Sequence, residues 1–255
     1  MPPTLPRPRA PVLRPSIFSN VPAVRAGVST RRGGVSGPPY DTLNLGRHVG
    51  DDPVSVEENR RRFCAALDTD PAWLVTAGQV HGATVRVVEA PRHEPFCDGL
   101  VTATPRLLLA IATADCAPVL LADPAAGVVG ACHAGWRGAV AGVAAATVTA
   151  MQQLGATPAA IRAHIGPCLS REAFEVGPEV AARFDEAVVH WRDGEAKPHV
   201  DLTLALRRQL ESAGLTGGHI DASDRCTLQE PDTFFSYRGS GGTTGRMFGA
   251  VALRP

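Results

Sequence analysis

The sequence holds a single lysine, Lys197, and has no Cys-x-x-Cys pair, no His-x-His pair, no net charge and no long apolar run. Each absence excludes something. Lys plus Arg equals Asp plus Glu at 25 each, so no global field draws the chain to nucleic acid or to an anionic membrane. No run approaches the roughly 20 apolar residues of a membrane span. The first 16 residues hold six prolines and three arginines but no apolar core of the kind a signal peptide needs. Six cysteines are scattered without pairing motifs and read as reduced thiols in a chain of this length. The expectation is a cytoplasmic protein with neither nucleic acid nor membrane as partner. Neither a P-loop nor a Rossmann glycine fingerprint is present. The excess of arginine over lysine goes with high Ala, Gly and Pro, and reflects a GC-rich coding sequence more than a phosphate-binding surface.

What is present is an ordinary globular balance, 44% hydrophobic and 20% charged, with room for a sizeable core. A Pro-rich arm is expected over residues 1–16 and one domain over residues 17–255. Strands are expected at Val24–Ser29, Leu74–Thr76, Thr84–Val88, Leu107–Ala114, Pro118–Ala122, Val128–Cys132, Ile161–Ile165 and Met247–Leu253. Helices are expected at about residues 56–67 behind a Ser55–Glu58 capping box, and from Gly138 to about Leu154. Two more are expected at Pro178–Val188 and Leu202–Ala213. The alternation predicts α/β with a mostly buried sheet system.

Three residues in short Gly- or Ala-rich settings stand out: His81 in GQVHG, Cys116 in TADCAPVLLADP and His133 in GACHAGWRG. Two imidazoles and a thiolate form a borderline-soft set that suits zinc. Three protein ligands leave the fourth position of a catalytic site for water or substrate. All three fall at strand ends or in adjoining turns, where a rigid sheet carries variable loops. Asp115 beside Cys116 is a carboxylate that needs a partner if buried, and a candidate acid/base. Gln79 can orient His81 or contact substrate, and Asn44 is a second candidate polar contact to base or sugar. Arg31, Arg137 and Arg246 are candidates for an anion, two of them in glycine-rich segments whose backbone can approach it. Without metal, Cys116 would be a nucleophile with His81 or His133 as its base; two flanking histidines favour metal, since a dyad needs one.

The chain resembles the bacterial laccase-domain family, also called multicopper polyphenol oxidase or purine nucleoside phosphorylase family proteins. The resemblance rests on GVSTRRGGVSGPPYDTLNLGRHVGDD, ENRRRF, GQVHG, DGLVT, TADCAPVLLADP, GACHAGWRGAVAGV, IGPCLSREAFEVG and FFSYRGSGGTTGRM, in that order between about residues 24 and 253. It implies a layered α/β sheet sandwich flanked by helices, similar to the catalytic domain of the cytotoxic necrotizing factors. It implies metal ligation by His81, Cys116 and His133. The implied activities are phosphorolysis of adenosine, inosine, guanosine and 5'-methylthioadenosine, and zinc-dependent deamination of adenosine. The implied partners are thus purine nucleosides and phosphate, in a monomer or weak homo-oligomer. An amide cleavage editing a peptidoglycan precursor is the alternative the family suggests. Copper can occupy the same donors in vitro, since it outranks zinc for N and S ligands. Eight histidines without one His-x-His pair do not make a trinuclear copper cluster, so a laccase reaction is not expected. Two departures from the family pattern stand out: Pro105-Arg106 where Pro-Gly is usual, and Arg238-Gly239 with a glycine-rich insert where Arg-Arg is usual.

Overall fold

A computed structural model describes residues 9–255. In chain order its elements are β1 (Val12–Leu13), β2 (Val24–Ser29), α1 (Pro53–Ala66), β3 (Leu74–Gly78), β4 (Val85–Val87), β5 (His93–Pro95), β6 (Gly99–Thr102), β7 (Leu108–Thr113), β8 (Ala117–Asp123) and β9 (Val128–Ala134). They continue as α2 (Trp136–Val140), α3 (Val143–Gln153), β10 (Arg162–Ile165), α4 (Pro178–Ala181), β11 (Val189–His190), β12 (His199–Val200), α5 (Leu202–Ser212), β13 (Ile220–Ala222) and β14 (Met247–Leu253).

Two mixed six-stranded sheets form the frame: β1-β2-β14-β7-β3-β5 and β13-β10-β8-β9-β6-β4. The apolar runs predicted as buried strands have both faces covered, which is why they do not alternate. In β7, Leu109 and Ile111 face the second sheet, where they meet Leu100, Leu120, Val129 and Ala131. Leu108 and Ala110 face the other way, against Phe63 and Leu67 at α1. The outer face of the second sheet packs Val119, Leu121 and Val128 against Val148, Met151, Leu206 and Leu210 of α3 and α5. The result is a helix–sheet–sheet–helix sandwich. Among the described residues, no helix is long and apolar enough to cross a membrane.

Several expectations shift. Asp52, not Ser55, caps α1: its carboxylate accepts the N–H groups of Val54 and Ser55, and Pro53 occupies the first turn. The helix therefore starts three residues before the capping-box reading. The helix expected from Gly138 to Leu154 is two, because Gly142 sits at φ +85° between α2 and α3. That left-handed geometry interrupts the ladder and re-aims α3. Pro178–Val188 is not a helix either. One turn, α4, is followed by a separate 3-10 turn at Glu186–Val188, which Asp185 caps. Of the arm expected over 1–16, residues 1–8 lie outside the described residues. From Arg9 onward the chain is tied to the fold. Ala10 is buried, Val12 pairs with Ser29, and Arg14 donates to the Ala66 carbonyl.

Candidate metal centre and its cleft

Three times the chain crosses from the first sheet to the second at the same end of the sandwich. The crossings are β3 to β4, β5 to β6 and β7 to β8. The first carries His81, the second Asp98 and the third Asp115 and Cys116, while His133 lies inside β9 of the second sheet. Sequence separation is thereby erased, and the ligand atoms of His81, Cys116 and His133 lie within 4.8 Å of one another. The two imidazoles stand edge to face, 4.8 Å between centroids.

Asp98 holds this group together and was not singled out by its sequence. It is fully buried, and its carboxylate accepts the backbone N–H groups of Val80 (3.1 Å), His81 (2.9 Å) and Gly82 (2.7 Å). These bonds hold the turn in which His81 takes φ +62°. The same carboxylate bonds Nδ1 of His133 at 2.9 Å, which fixes the ring and leaves Nε2 for the centre. Burial opposes ionisation of Asp98, but the bond from His133 and those from the turn outweigh it and lower its pKa. Its sequence, Cys97-Asp98-Gly99-Leu100, gives no sign of this role, which follows only from its burial, since a buried acid needs donors.

The thiol and imidazole are tuned together. Burial alone would raise the Cys116 pKa; hydrogen bonds from His133 and His81 outweigh it and lower it to about 6. Burial likewise works against a charged His133, while Asp98 and Cys116 raise it to about 9. Each thus favours the charged form of the other, thiolate at Cys116 and imidazolium at His133. Gly135 is required beside them, since a Cβ there would lie 2.7 Å from the Cys116 sulfur.

The centre closes one end of a cleft of about 860 Å³. The cleft runs along the outer face of the first sheet, over a floor of Gly78, Ala110, Ala112 and Ala114. Of the sequence-derived contacts, Arg137 lines it and stacks its guanidinium 4.3 Å from the Trp136 ring centre. Arg246 lines it too, with Nη1 on the carbonyls of Thr244 and Gly245 and burial lowering its pKa. Gln79 faces the cleft, but both ends of its amide are bonded to the Ala112 backbone at the edge of β7.

Two expected contacts lie elsewhere. Arg31 is spent on the Asp41 carbonyl and carboxylate and on the Pro231 carbonyl, beside a separate small depression. Asn44 is fully buried and ties Gly46, Asp51 and the Arg246 N–H together. The Arg31 segment looked ligand-facing because it carries glycines; here Gly33 and Gly34 serve tight packing against Pro11 and Thr42. Asp115 lines the cleft at φ +91°, but Thr227 donates to one carboxylate oxygen at 2.7 Å and the Arg238 N–H to the other at 2.7 Å. Tyr237 and Arg238, from the glycine-rich segment that ends at Arg246, line the cleft, and so do His48, Arg60 and His93, which the sequence reading passed over. They sit at unremarkable places in the sequence and converge only through sheet order.

Fold and site together define a layered α/β protein with a His–Cys–His group, able to hold a metal ion, at the end of a ligand-sized cleft. The chain belongs to the family described as multi-copper polyphenol oxidoreductase laccase, whose model matches residues 25–254. It is 49% identical over 229 residues to a Streptomyces griseus protein named purine nucleoside phosphorylase ORF3, covering 88% of this chain and 92% of that one. A Deinococcus radiodurans purine nucleoside phosphorylase is 46% identical over 233 residues, 91% of this chain and 90% of its own. The crystal structure of YlmD from Geobacillus stearothermophilus superposes with a TM-score of 0.87 at 34% identity, covering 98% of this chain and all of that one.

Proposed function

We propose that the protein is a zinc-dependent purine nucleoside phosphorylase that also deaminates adenosine, acting on adenosine, inosine, guanosine and 5'-methylthioadenosine. The observation that carries this is the convergence of His81, Cys116 and His133 within 4.8 Å at the end of an arginine-lined cleft. Similarity to proteins named purine nucleoside phosphorylase supplies the substrate class. The donor set fits zinc: two imidazoles and a sulfur already biased toward thiolate, with no fourth protein ligand in the group. Zinc held there would supply Lewis acidity toward a substrate oxygen or water.

The chain's own residues then divide the remaining work. Asp98 fixes the His133 tautomer and the His81 turn. The alanine and glycine floor, without side chains of any height, admits a planar base lying flat on the sheet. Arg137 and Arg246 present positive charge near the centre, suited to phosphate or to charge on the departing base. Asp115, bonded at both oxygens, holds the loops of Thr227 and Arg238 against the site and is a positioning residue in this reading.

The thiolate–imidazolium pair favours one second reading, a Cys116-nucleophile amidase acting on a peptidoglycan precursor. A polyphenol oxidase is disfavoured, because among the described residues the His–Cys–His group is the one cluster of its kind. Chromatography of products from adenosine, with and without phosphate, before and after chelation, separates the readings. Phosphate-dependent adenine and phosphate-independent inosine, both lost on chelation and in His133→Ala, are expected. Unchanged adenosine in every tube, or full turnover by metal-free protein, would remove the zinc nucleoside reading.

A further inference from the structure

The cleft has a second end. From Ala110 and Ala112 in β7 the chain continues through Ala114 to Cys116, and β3 runs beside β7 from Thr76 toward His81. At the level of Thr76 and Ala110, β5 places His93 next to Thr76, whose hydroxyl bonds its Nδ1 at 2.9 Å. That level lies about 10 Å along β7 from its end at Thr113, at ~3.3 Å per residue. Over it stand His48, whose ring centre is 6.1 Å from that of His93, and Arg47 and Arg60.

Arg60 is the anomaly. It projects from α1, is 6% exposed, and no carboxylate lies within ion-pair distance of it among the described residues. Its Nε and Nη2 both donate to the Leu45 carbonyl, and its plane lies 5.2 Å from the Phe248 ring centre. No hydrogen bond among the described residues uses Nη1. Glu57, one turn away on α1, acts on Arg60 through its charge but makes no ion pair with it, and a buried cation without a direct partner is costly unless an anion satisfies it. The neighbours add to the field. Arg47 is paired with Glu57, which shares an adjoining depression with Arg47, Arg60 and His93; among the described residues the carboxylate lining the main cleft is Asp115, at the metal end. Burial, then the charges of His48, Arg60 and Arg47, lower the His93 pKa; burial and Arg47 bring Arg60 down to about 10.

We propose that Arg60, Arg47, His48 and His93 form an oxyanion subsite for a phosphate group, at the end of the cleft opposite the metal centre. Its ligand is either inorganic phosphate or the phosphoryl group of a phosphorylated nucleoside lying along the alanine floor. The assignment of phosphate as the anion rests on the phosphorylase reading; the existence of the subsite rests on the unpaired arginine and its spacing.

The metal-loaded protein is titrated calorimetrically with inorganic phosphate, adenosine and adenosine 5'-monophosphate. Saturable phosphate binding is expected, weakened tenfold or more in Arg60→Gln with metal content unchanged. Because Arg60 also braces Leu45, the double variant Arg47→Gln/His93→Gln, altered at the cleft surface, provides a second test and should weaken it at least threefold. If the monophosphate outbinds adenosine and the variants erase that preference, the subsite takes the substrate's own phosphate; if phosphate binds alone and the two nucleosides bind equally, it takes the free ion. Wild-type affinities in both folded variants, or no saturable binding of phosphate and no preference for the monophosphate, would overturn the subsite. Because the readout is heat and not turnover, an inactive protein that still binds phosphate through Arg60 would sink the phosphorylase reading and leave the subsite standing.

Discussion

At the scale of single residues, the centre depends on a carboxylate that is not itself one of the three donors. Asp98 bonds three N–H groups and one imidazole, so Asp98→Asn replaces an acceptor-only group with one that must also donate. One of the four bonds is lost and the His133 ring is freed to choose its tautomer. Metal affinity should fall about 10–100-fold, read by competition with a chromophoric chelator, and excess metal should restore turnover. Unchanged affinity would show that Asp98 only builds the turn. Gly135→Ala approaches the same centre from the other side: its Cβ would lie 2.7 Å from the Cys116 sulfur, so metal binding should suffer far more than stability. Equal metal content in the two proteins would sink that expectation. His81, Cys116 and His133 could be picked out in the sequence because soft donors in glycine-rich turns are unusual. Asp98 and Arg60 could not, because a buried charge reveals itself only through what surrounds it.

At the scale of elements, the sequence carried strands better than helix ends. Leu107–Ala114 and Pro118–Ala122 matched β7 and β8 within a residue or two, since long apolar runs covered on both faces have few alternatives. The Pro178–Val188 pattern misled because its apolar spacing suited a helix while Pro178, Asp185, the core packing of Phe184 and the burial of Val188 made separate turns. Helix α1 offers a pH test. Arg61 and then Arg62 hold Glu58 down at about 2, against burial. Its folded pKa lies below the unfolded value, so the stabilisation is present above about pH 4.5 and lost as pH falls toward 2. Glu58→Gln should lower stability by about 0.5–1 kcal/mol at pH 7, a deficit that vanishes near pH 2. Urea midpoints at both pH values read it, and a deficit constant with pH would rule the pairing out as its cause. The turn before β7 offers another. Arg106 sits at φ +72°, where glycine is at ease, with its guanidinium 5.7 Å from the Trp73 ring centre. Arg106→Gly should raise the urea midpoint by up to about 1 kcal/mol of stability. A lower midpoint would show that the Trp73 contact outweighs the backbone strain.

At the scale of the whole molecule, an ion held at the centre would also be a fastener. The two sheets meet through packed apolar faces, closely enough that a Cβ on Gly249 of β14 would lie 2.5 Å from Pro118 of β8. The crossings that carry His81 and Cys116 each leave the first sheet and enter the second, and His133 belongs to the second sheet alone. An ion shared by all three donors therefore ties two sheet-to-sheet connections to a central strand of one sheet. Such an ion binds the native state and not the dispersed ligands of the unfolded chain, so it adds stability by mass action. With free metal about 100-fold above its dissociation constant, the gain is about 2.7 kcal/mol. For a chain of this length that is a Tm shift of roughly 5–10 °C. Differential scanning calorimetry of the metal-loaded and chelated protein should show this drop, and the addition of zinc should reverse it. Cys116→Ser, which keeps the fold but gives up the soft donor, should melt near the chelated protein and respond weakly to zinc. If chelation leaves Tm unchanged while phosphorolysis disappears, the ion serves chemistry alone and the sheets are held by their apolar faces; if both are unchanged, the three donors do not share an ion at all.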